Sequence, residues 1–381
     1  MTGIYIHIPF CVKKCLYCDF VSACGTQEEM RLYKDALIQE IAQTEIPEEI
    51  DSIFIGGGTP SVIPASYIEE ILRNIYAKYS ISMQAEISIE ANPGTLTKEK
   101  LDIYRKSGVN RISIGLQTAD DEELKNLGRI YRYQEFSEAY EMARDAGFQN
   151  INVDLMSAIP GQNMKSYQET IEKVLQLKPE HISAYSLIIE EGTPFYEWYG
   201  DDTISSDHPR LPDEEEEREM YYYTKKVLAE HGYERYEISN YARKGYECRH
   251  NLKYWSRENY YGFGVAAASL VNHQRYTNIS DRQKYITCLG DVSQIREEIL
   301  PLTEQDEMEE YMFLGLRKMS GVSKTKFEQI FHVSIGQVYG DVIDRQKKTG
   351  LLKEQKDRLL LTDKGIDVSN MVMSEYLLER R

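Results

Sequence analysis

Tyr5-Ile6-His7-Ile8-Pro9-Phe10-Cys11-Val12-Lys13-Lys14-Cys15-Leu16-Tyr17-Cys18 is the stretch that decides the fold. An apolar, strand-like run breaks at Pro9, and three cysteines follow at the spacing C-x3-C-x2-C. Thiolates set this closely on a loop can wrap one soft metal centre, and an iron–sulfur cluster suits them. A cubane cluster that only transfers electrons normally takes four cysteine ligands. Here three are grouped, because Cys24 lies six positions beyond Cys18. One iron is then left open for a small-molecule ligand, as a catalytic zinc keeps a position open for substrate. A zinc site with a distant fourth ligand, and buried thiols acting as small hydrophobes, are the other readings of this spacing.

Outward from the cysteine loop the chain repeats one unit. Residues 27–45 have a helical apolar face of Met30, Tyr33, Leu37 and Ile41, and the strand Ser52-Ile53-Phe54-Ile55 ends in Gly56-Gly57-Gly58-Thr59-Pro60. Consecutive glycines let a backbone bend sharply and approach a ligand closely, and a tight turn is their plainer reading. A helix over 64–79 precedes the strand Glu86–Asn92, and a helix near 97–107 precedes Arg111–Gln117. Helical stretches to about 146 precede Ile151–Leu155, and a helix near 164–177 precedes His181–Leu187. Counting the strand before Cys11, six strands alternate with helices, which demands parallel pairing through right-handed crossovers. The expected fold is α/β, a partial (β/α)6 barrel with its active site at the carboxyl ends of the strands. Cys11, Gly57, Glu90, Gln117 and Asp154 all fall at such ends, although a polar residue there can also cap the next helix.

The pattern resembles the radical S-adenosylmethionine (SAM) superfamily, in which the open iron chelates the amino and carboxylate groups of SAM. It is most similar to the oxygen-independent coproporphyrinogen III oxidase-like group. That resemblance implies SAM contacts for Tyr5, Gly57, Gly58, Thr59, Glu90, Gln117, Arg129 and Asp154, with Tyr17 near the adenine and the [4Fe–4S] cluster on Cys11, Cys15 and Cys18. Arg129, in Leu127-Gly128-Arg129, would clamp the SAM carboxylate through a charge-assisted bond. A solvated surface arginine is the alternative.

Beyond residue 190 the alternation stops. The segment 199–212 reads as an exposed loop, and Asp213-Glu214-Glu215-Glu216-Glu217 starts a helix to about 231, its acids placed as the helix dipole favours. The tyrosine-rich part 233–277 holds strand-like Glu234–Ile238 and Gly264–Leu270, with His250-Asn251-Leu252-Lys253-Tyr254-Trp255 between them. A lone histidine is often a hydrogen-bonded structural one, yet an imidazole beside aromatic faces is also what a haem pocket needs. H-N-x-x-Y-W resembles the hallmark of the haem chaperone (HemW-type) branch, which implies that His250 binds haem. Helices at 303–319, 323–331 and 336–348 and a hairpin near 351–362 suggest a winged-helix-like C-terminal domain. It shows no basic stripe, so a lid or scaffold over the barrel is preferred to a nucleic-acid reader. The expected divisions are 1–232 (barrel), 233–299 (strand-rich extension with the haem motif) and 300–381.

The resemblance leaves two functions. One is a haem chaperone that passes haem to acceptor proteins, such as membrane respiratory enzymes; the other is coproporphyrinogen III dehydrogenase. The dehydrogenase branch carries C-x3-C-x2-C-x-C and an N-terminal extension, whereas here Cys18 is followed by Asp19-Phe20 and ten residues precede Cys11. With the His250 motif these features favour the chaperone and argue against an active dehydrogenase. Composition agrees with a cytoplasmic protein. Net charge is −17, which disfavours nucleic acid and anionic lipid, and no apolar run approaches the roughly 20 residues of a membrane span. No signal peptide is expected, and six cysteines with three in a metal-type spacing fit a reducing compartment. A homodimer is compatible with the family.

Overall fold

The computed structural model describes residues 1–200 and 207–378, so part of the expected 199–212 loop lies outside the described residues. The barrel is built from six strands and their crossovers: β1 (Thr2–Ile8), α1 (Gln27–Gln43), β2 (Ile50–Gly57), α2 (Ala65–Lys78), β3 (Ile81–Ala91), α3 (Lys98–Lys106), β4 (Arg111–Gln117), α4 (Asp121–Asn126), α5 (Tyr133–Asp145), β5 (Ile151–Ser157), α6 (Met164–Leu177) and β6 (His181–Ser186). All neighbours from β1 to β6 pair in parallel. Most of these helices begin on a side-chain cap, as at Thr26, Thr97, Asp120 and Asn163, whose oxygens satisfy the first free N–H groups.

Period-two alternation sets the two faces of the barrel. Ile4, Ile6, Ile53, Ile55, Ile87, Ile89, Ile112, Ile114, Val153 and Ile182 are buried in the apolar layer shared with the helices. The intervening residues that line the lumen are mostly polar, among them Tyr5, Glu90, Arg111, Ser113, Asn152, Asp154 and Ser183, with the apolar Phe54 beside them. Strands of a parallel barrel usually pack apolar side chains inside as well. A polar lumen therefore has to be built around something other than packing.

The rest of the chain extends the sheet and covers it. After α7 (Pro194–Tyr199) and α8 (Glu214–Glu230) come β7 (Glu234–Arg235), β8 (Asn240–Ala242), α9 (Arg249–Trp255), β9 (Tyr260–Phe263), β10 (Ala268–Val271), β11 (Gln274–Asn278), α10 (Arg282–Thr287), α11 (Val292–Ile295) and β12 (Arg296–Pro301). The strand order is β12-β11-β10-β9-β1-β2-β3-β4-β5-β6-β8-β7, with β9 parallel to β1. The sequence expectation of a strand over Gly264–Leu270 is thus shifted, since Gly264 adopts φ +97° in the turn before β10. The C-terminal part has α12 (Glu304–Gly315), β13 (Val322–Ser323), α13 (Lys324–Phe331), α14 (Ile335–Lys348), β14 (Leu352–Gln355), β15 (Arg358–Leu361), α15 (Asp363–Asp367) and α16 (Ser369–Ser374). These enclose a separate apolar core of Met312, Phe327, Tyr339, Leu359 and Tyr376. Glu307 and Glu310 of α12 tie it to the sheet extension through Arg257 at 2.6 and 2.8 Å and through Arg275 at 2.7 Å.

Candidate functional site

Cys11, Cys15 and Cys18 sit on the loop after β1, and all three are free thiols. Two backbone bonds hold the loop shut: Cys11 N–H donates to Ala23 at 3.1 Å and Ala23 N–H to Pro9 at 3.1 Å. His7 braces it, with Nε2 2.9 Å from the Val21 carbonyl oxygen. Burial pushes the Cys15 and Cys18 thiols up, while the Arg129 guanidinium pulls Cys15 the other way. The three sulfurs are close enough to repel one another as thiolates. Among the described residues no His, Cys, Asp or Glu group closes to the spacing of a single-ion site. A cluster with one iron per thiolate does not require that spacing, and the donor set is the soft one it prefers.

The glycine run packs directly on this loop. Gly58 N–H donates to Ile8 at 2.9 Å and Thr59 N–H to Phe10 at 2.8 Å, which brings Thr59 Oγ1 to 3.5 Å from Cys11 Sγ. A Cβ on Gly58 would lie 2.8 Å from the Phe10 oxygen, and one on Gly57, at φ +106°, would lie 2.6 Å from the His7 ring. Both approaches are closed to any residue with a side chain.

Around the mouth, Glu90 Oε2 accepts from Gly57 N–H at 3.2 Å. Burial and the neighbouring Asp154 charge push Glu90 up to about 8. Asp154 accepts from Ser113 at 3.0 Å and Asn152 at 2.7 Å; burial raises it and these bonds oppose the rise. Gln117 adopts φ +68° and its Oε1 accepts from Tyr131 O–H at 2.6 Å. Arg129 donates to the Tyr17 hydroxyl and lies 5.7 Å over the rings of Tyr17 and Tyr131. Its Nε is buried with no hydrogen-bond partner, an unused donor beside Cys15 that suits an incoming carboxylate. Burial pushes Tyr17 up to about 12 and keeps Tyr5 a neutral phenol as well. The structure thus lines one pocket beside the cysteine loop with Cys15, Thr59, Gly128 and Arg129 and joins Gly57 of the adjoining glycine run to Glu90. It places Tyr5, Glu90 and Asp154 in the barrel lumen, in the cavity that His250 also walls.

Sequence reasoning missed the supporting network. Arg111, 2% exposed, projects into the same lumen. His181 lies between Asn152 Oδ1 at 2.5 Å and Tyr236 OH at 2.8 Å, and burial holds its imidazole neutral. His181, with Ser183 Oγ at 3.2 Å, orients Asn152, which in turn donates to Asp154 at 2.7 Å. The signal that could have found them is the alternation itself, since Ile-Asn-Val-Asp and Arg-Ile-Ser-Ile place a polar residue at every second strand position.

His250 lies away from the cysteine loop. The sequence offers it as an axial ligand beside aromatic faces or as a hydrogen-bonded structural histidine; in the structure it is 1% exposed on α9, which plugs the amino-terminal end of the barrel. A Cβ on Gly3 would come within 3.3 Å of its Cε1, so it lies about 16 Å along β1 from Ile8, at ~3.3 Å per residue. Both ring nitrogens are engaged, Nδ1 with Ser52 Oγ at 3.0 Å and Nε2 with Tyr254 OH at 2.9 Å. Burial, then Lys253 and Arg111, lower its pKa to about 3, so the ring is neutral.

The model of the Radical SAM superfamily matches residues 5–174, and that of the HemN C-terminal domain matches 302–368. The chain is 39% identical to the heme chaperone HemW of Lactococcus lactis over 99% of this chain and 98% of that protein. It is 36% identical to the heme chaperone HemW of Bacillus subtilis over the full length of both. Among solved structures, coproporphyrinogen III oxidase (HemN) of Escherichia coli superposes with a TM-score of 0.86 at 22% identity, covering 99% of this chain and 90% of that one. This last likeness shows the fold alone.

Proposed function

The chain belongs to the heme chaperone HemW family, and on that premise we propose that it binds haem and transfers it to acceptor proteins. The full-length similarity to curated chaperones is the observation that carries this reading. The cofactors of a radical SAM chaperone are a [4Fe–4S] cluster, SAM and haem, and the first two together supply one-electron chemistry when bound. Cys11, Cys15 and Cys18 would hold the cluster. Gly57, Gly58 and Thr59 present backbone groups at the loop, and Arg129 keeps an unspent donor for a carboxylate. Glu90 and Asp154 supply fixed acceptors in the lumen, and Tyr5 and Tyr17 supply aromatic walls. Gln117 is held toward the lumen by Tyr131, which restricts where a ligand can lie.

Among the described residues no helix is long and apolar enough to cross a membrane. We place the protein in the cytoplasm, with acceptor proteins reached through protein contacts and a homodimer as its assembled form. The test is anaerobic titration of the reconstituted protein with haem, followed by transfer to an apo-acceptor haem protein. Stoichiometric uptake with a Soret band, and transfer of that band, is expected. The same protein, reduced and given SAM and coproporphyrinogen III, should release no protoporphyrinogen IX. Decarboxylation without haem uptake would replace this reading with the dehydrogenase.

A further inference from the structure

A cleft of about 670 Å³ opens between the β1–β9–β10–β11 face of the sheet and α12, within the ~300–1,000 Å³ of small-molecule sites. It runs from Phe20 and Val21, beside the cysteine loop, down to Trp255. Its apolar lining includes Phe20, Trp255, Leu270, Phe313 and Leu314, and Phe20 is 61% exposed. A flat, largely apolar ligand with an anionic edge fits such a lining. Arg275 supplies the cation, and its present partner Glu310 is also held by Arg257 at 2.8 Å. Arg275 can turn to a ligand carboxylate without leaving Glu310 unpaired. The other carboxylate on the lining is Asp19, beside the cysteine loop. Trp255 Nε1 adds a buried donor with no hydrogen-bond partner.

A second cavity, of about 170 Å³, fills the barrel lumen and has His250 in its wall. Tyr5 and Tyr254 line both cavities, so they form the partition between lumen and cleft. Tyr254 stands against His250 edge-on, with ring centroids 4.9 Å apart and its hydroxyl on Nε2. Resting on the haem-chaperone reading, we propose that this cleft receives the face of the tetrapyrrole, and that Tyr254 is a displaceable gate over His250. Moving the Tyr254 phenol frees Nε2 to give its lone pair to the haem iron, while Nδ1–H keeps donating its hydrogen bond to Ser52 Oγ. The imidazole is already neutral, so no proton is released. The sequence motif then has a division of labour: Trp255 belongs to the docking wall, Tyr254 to the gate and His250 to the iron.

The test uses full-length protein and two probes, haem (Soret titration) and metal-free protoporphyrin IX (fluorescence). Phe313→Ala and Arg275→Gln should weaken both probes about five- to twentyfold, with unchanged thermal melts showing that the fold survives. His250→Ala should weaken haem and leave protoporphyrin IX within twofold. Tyr254→Phe should tighten haem about three- to tenfold, since one hydrogen bond no longer competes with iron, and leave protoporphyrin IX unchanged. Wild-type protein that takes up no haem overturns the functional reading and this inference together. Wild-type uptake with normal binding in Phe313→Ala and Arg275→Gln overturns the cleft alone, and unchanged or weaker haem binding in Tyr254→Phe overturns the gate.

Discussion

Replacing Glu90 with glutamine should stabilise the ligand-free protein and weaken SAM binding at the same time. Glu90 is pushed from an ordinary carboxyl value of 4.5 to about 8 by burial and by Asp154. A raised acid binds its proton more tightly in the folded state, so its contribution is fully present below about pH 4.5 and is lost as pH rises toward 8. Each unit of that window is worth about 1.4 kcal/mol, which gives ~5 kcal/mol as an upper bound across it. The adjoining lumen cavity of about 170 Å³ lets water reach the carboxylate and reduces that figure, so a loss of about 2–3 kcal/mol between pH 5 and pH 8 is expected. The Glu90→Gln side chain keeps an oxygen to accept from Gly57 N–H and carries no charge at any pH. Urea unfolding of the two proteins under anaerobic conditions should therefore show little difference at pH 5 and a clear advantage for the variant at pH 8. SAM titration should show the reverse preference. A stability difference that does not grow with pH, or a variant less stable at pH 8, would refute the argument that the lumen holds Glu90 under electrostatic strain for a ligand.

Three further outcomes follow from the same geometry. Changing Cys11, Cys15 or Cys18 to Ala should abolish the roughly 400 nm absorption and the reduced-state EPR signal expected of a bound cluster, whereas Cys24, Cys248 and Cys288 should be dispensable. Asp154→Ala removes an acceptor fixed by Ser113 and Asn152 and should weaken SAM by about 1–3 kcal/mol, read as a smaller SAM-induced shift of the reduced-cluster EPR spectrum. Gly58→Ala would drive a Cβ to 2.8 Å from the Phe10 oxygen; it should displace the cysteine loop and lower iron incorporation.

How much of this was legible in the sequence differs by level. The cysteine loop, the strand ends and the helices that separate them could be read because parallel units repeat and each carries its own signals. The helix expected at 164–177 is found as Met164–Leu177, between a capping Asn163 and a left-handed Lys178. Short elements after residue 233 were not legible. Strands of four residues such as β9 and β10 have too few positions for a period to show, and their existence depends on the edge that β1 offers them.

His250 shows the same limit at the level of function. Its neighbours in sequence, Tyr254 and Trp255, suggest an imidazole beside aromatic faces. A seven-residue helix instead turns the histidine inward while Trp255 faces the cleft. Residues four apart on a helix share a face, and here that spacing places the Tyr254 hydroxyl on His250 Nε2. The motif therefore encodes an internal contact as well as a ligand chemistry, and only the strand starts at Gly3 and Ser52, distant in sequence, reveal on which side of the barrel that contact is made. Under the proposed gate, a nitrogen held neutral, oriented by Ser52 and covered by one phenol would suit reversible capture of iron better than a permanently exposed one, because Tyr254 would compete for it on every release.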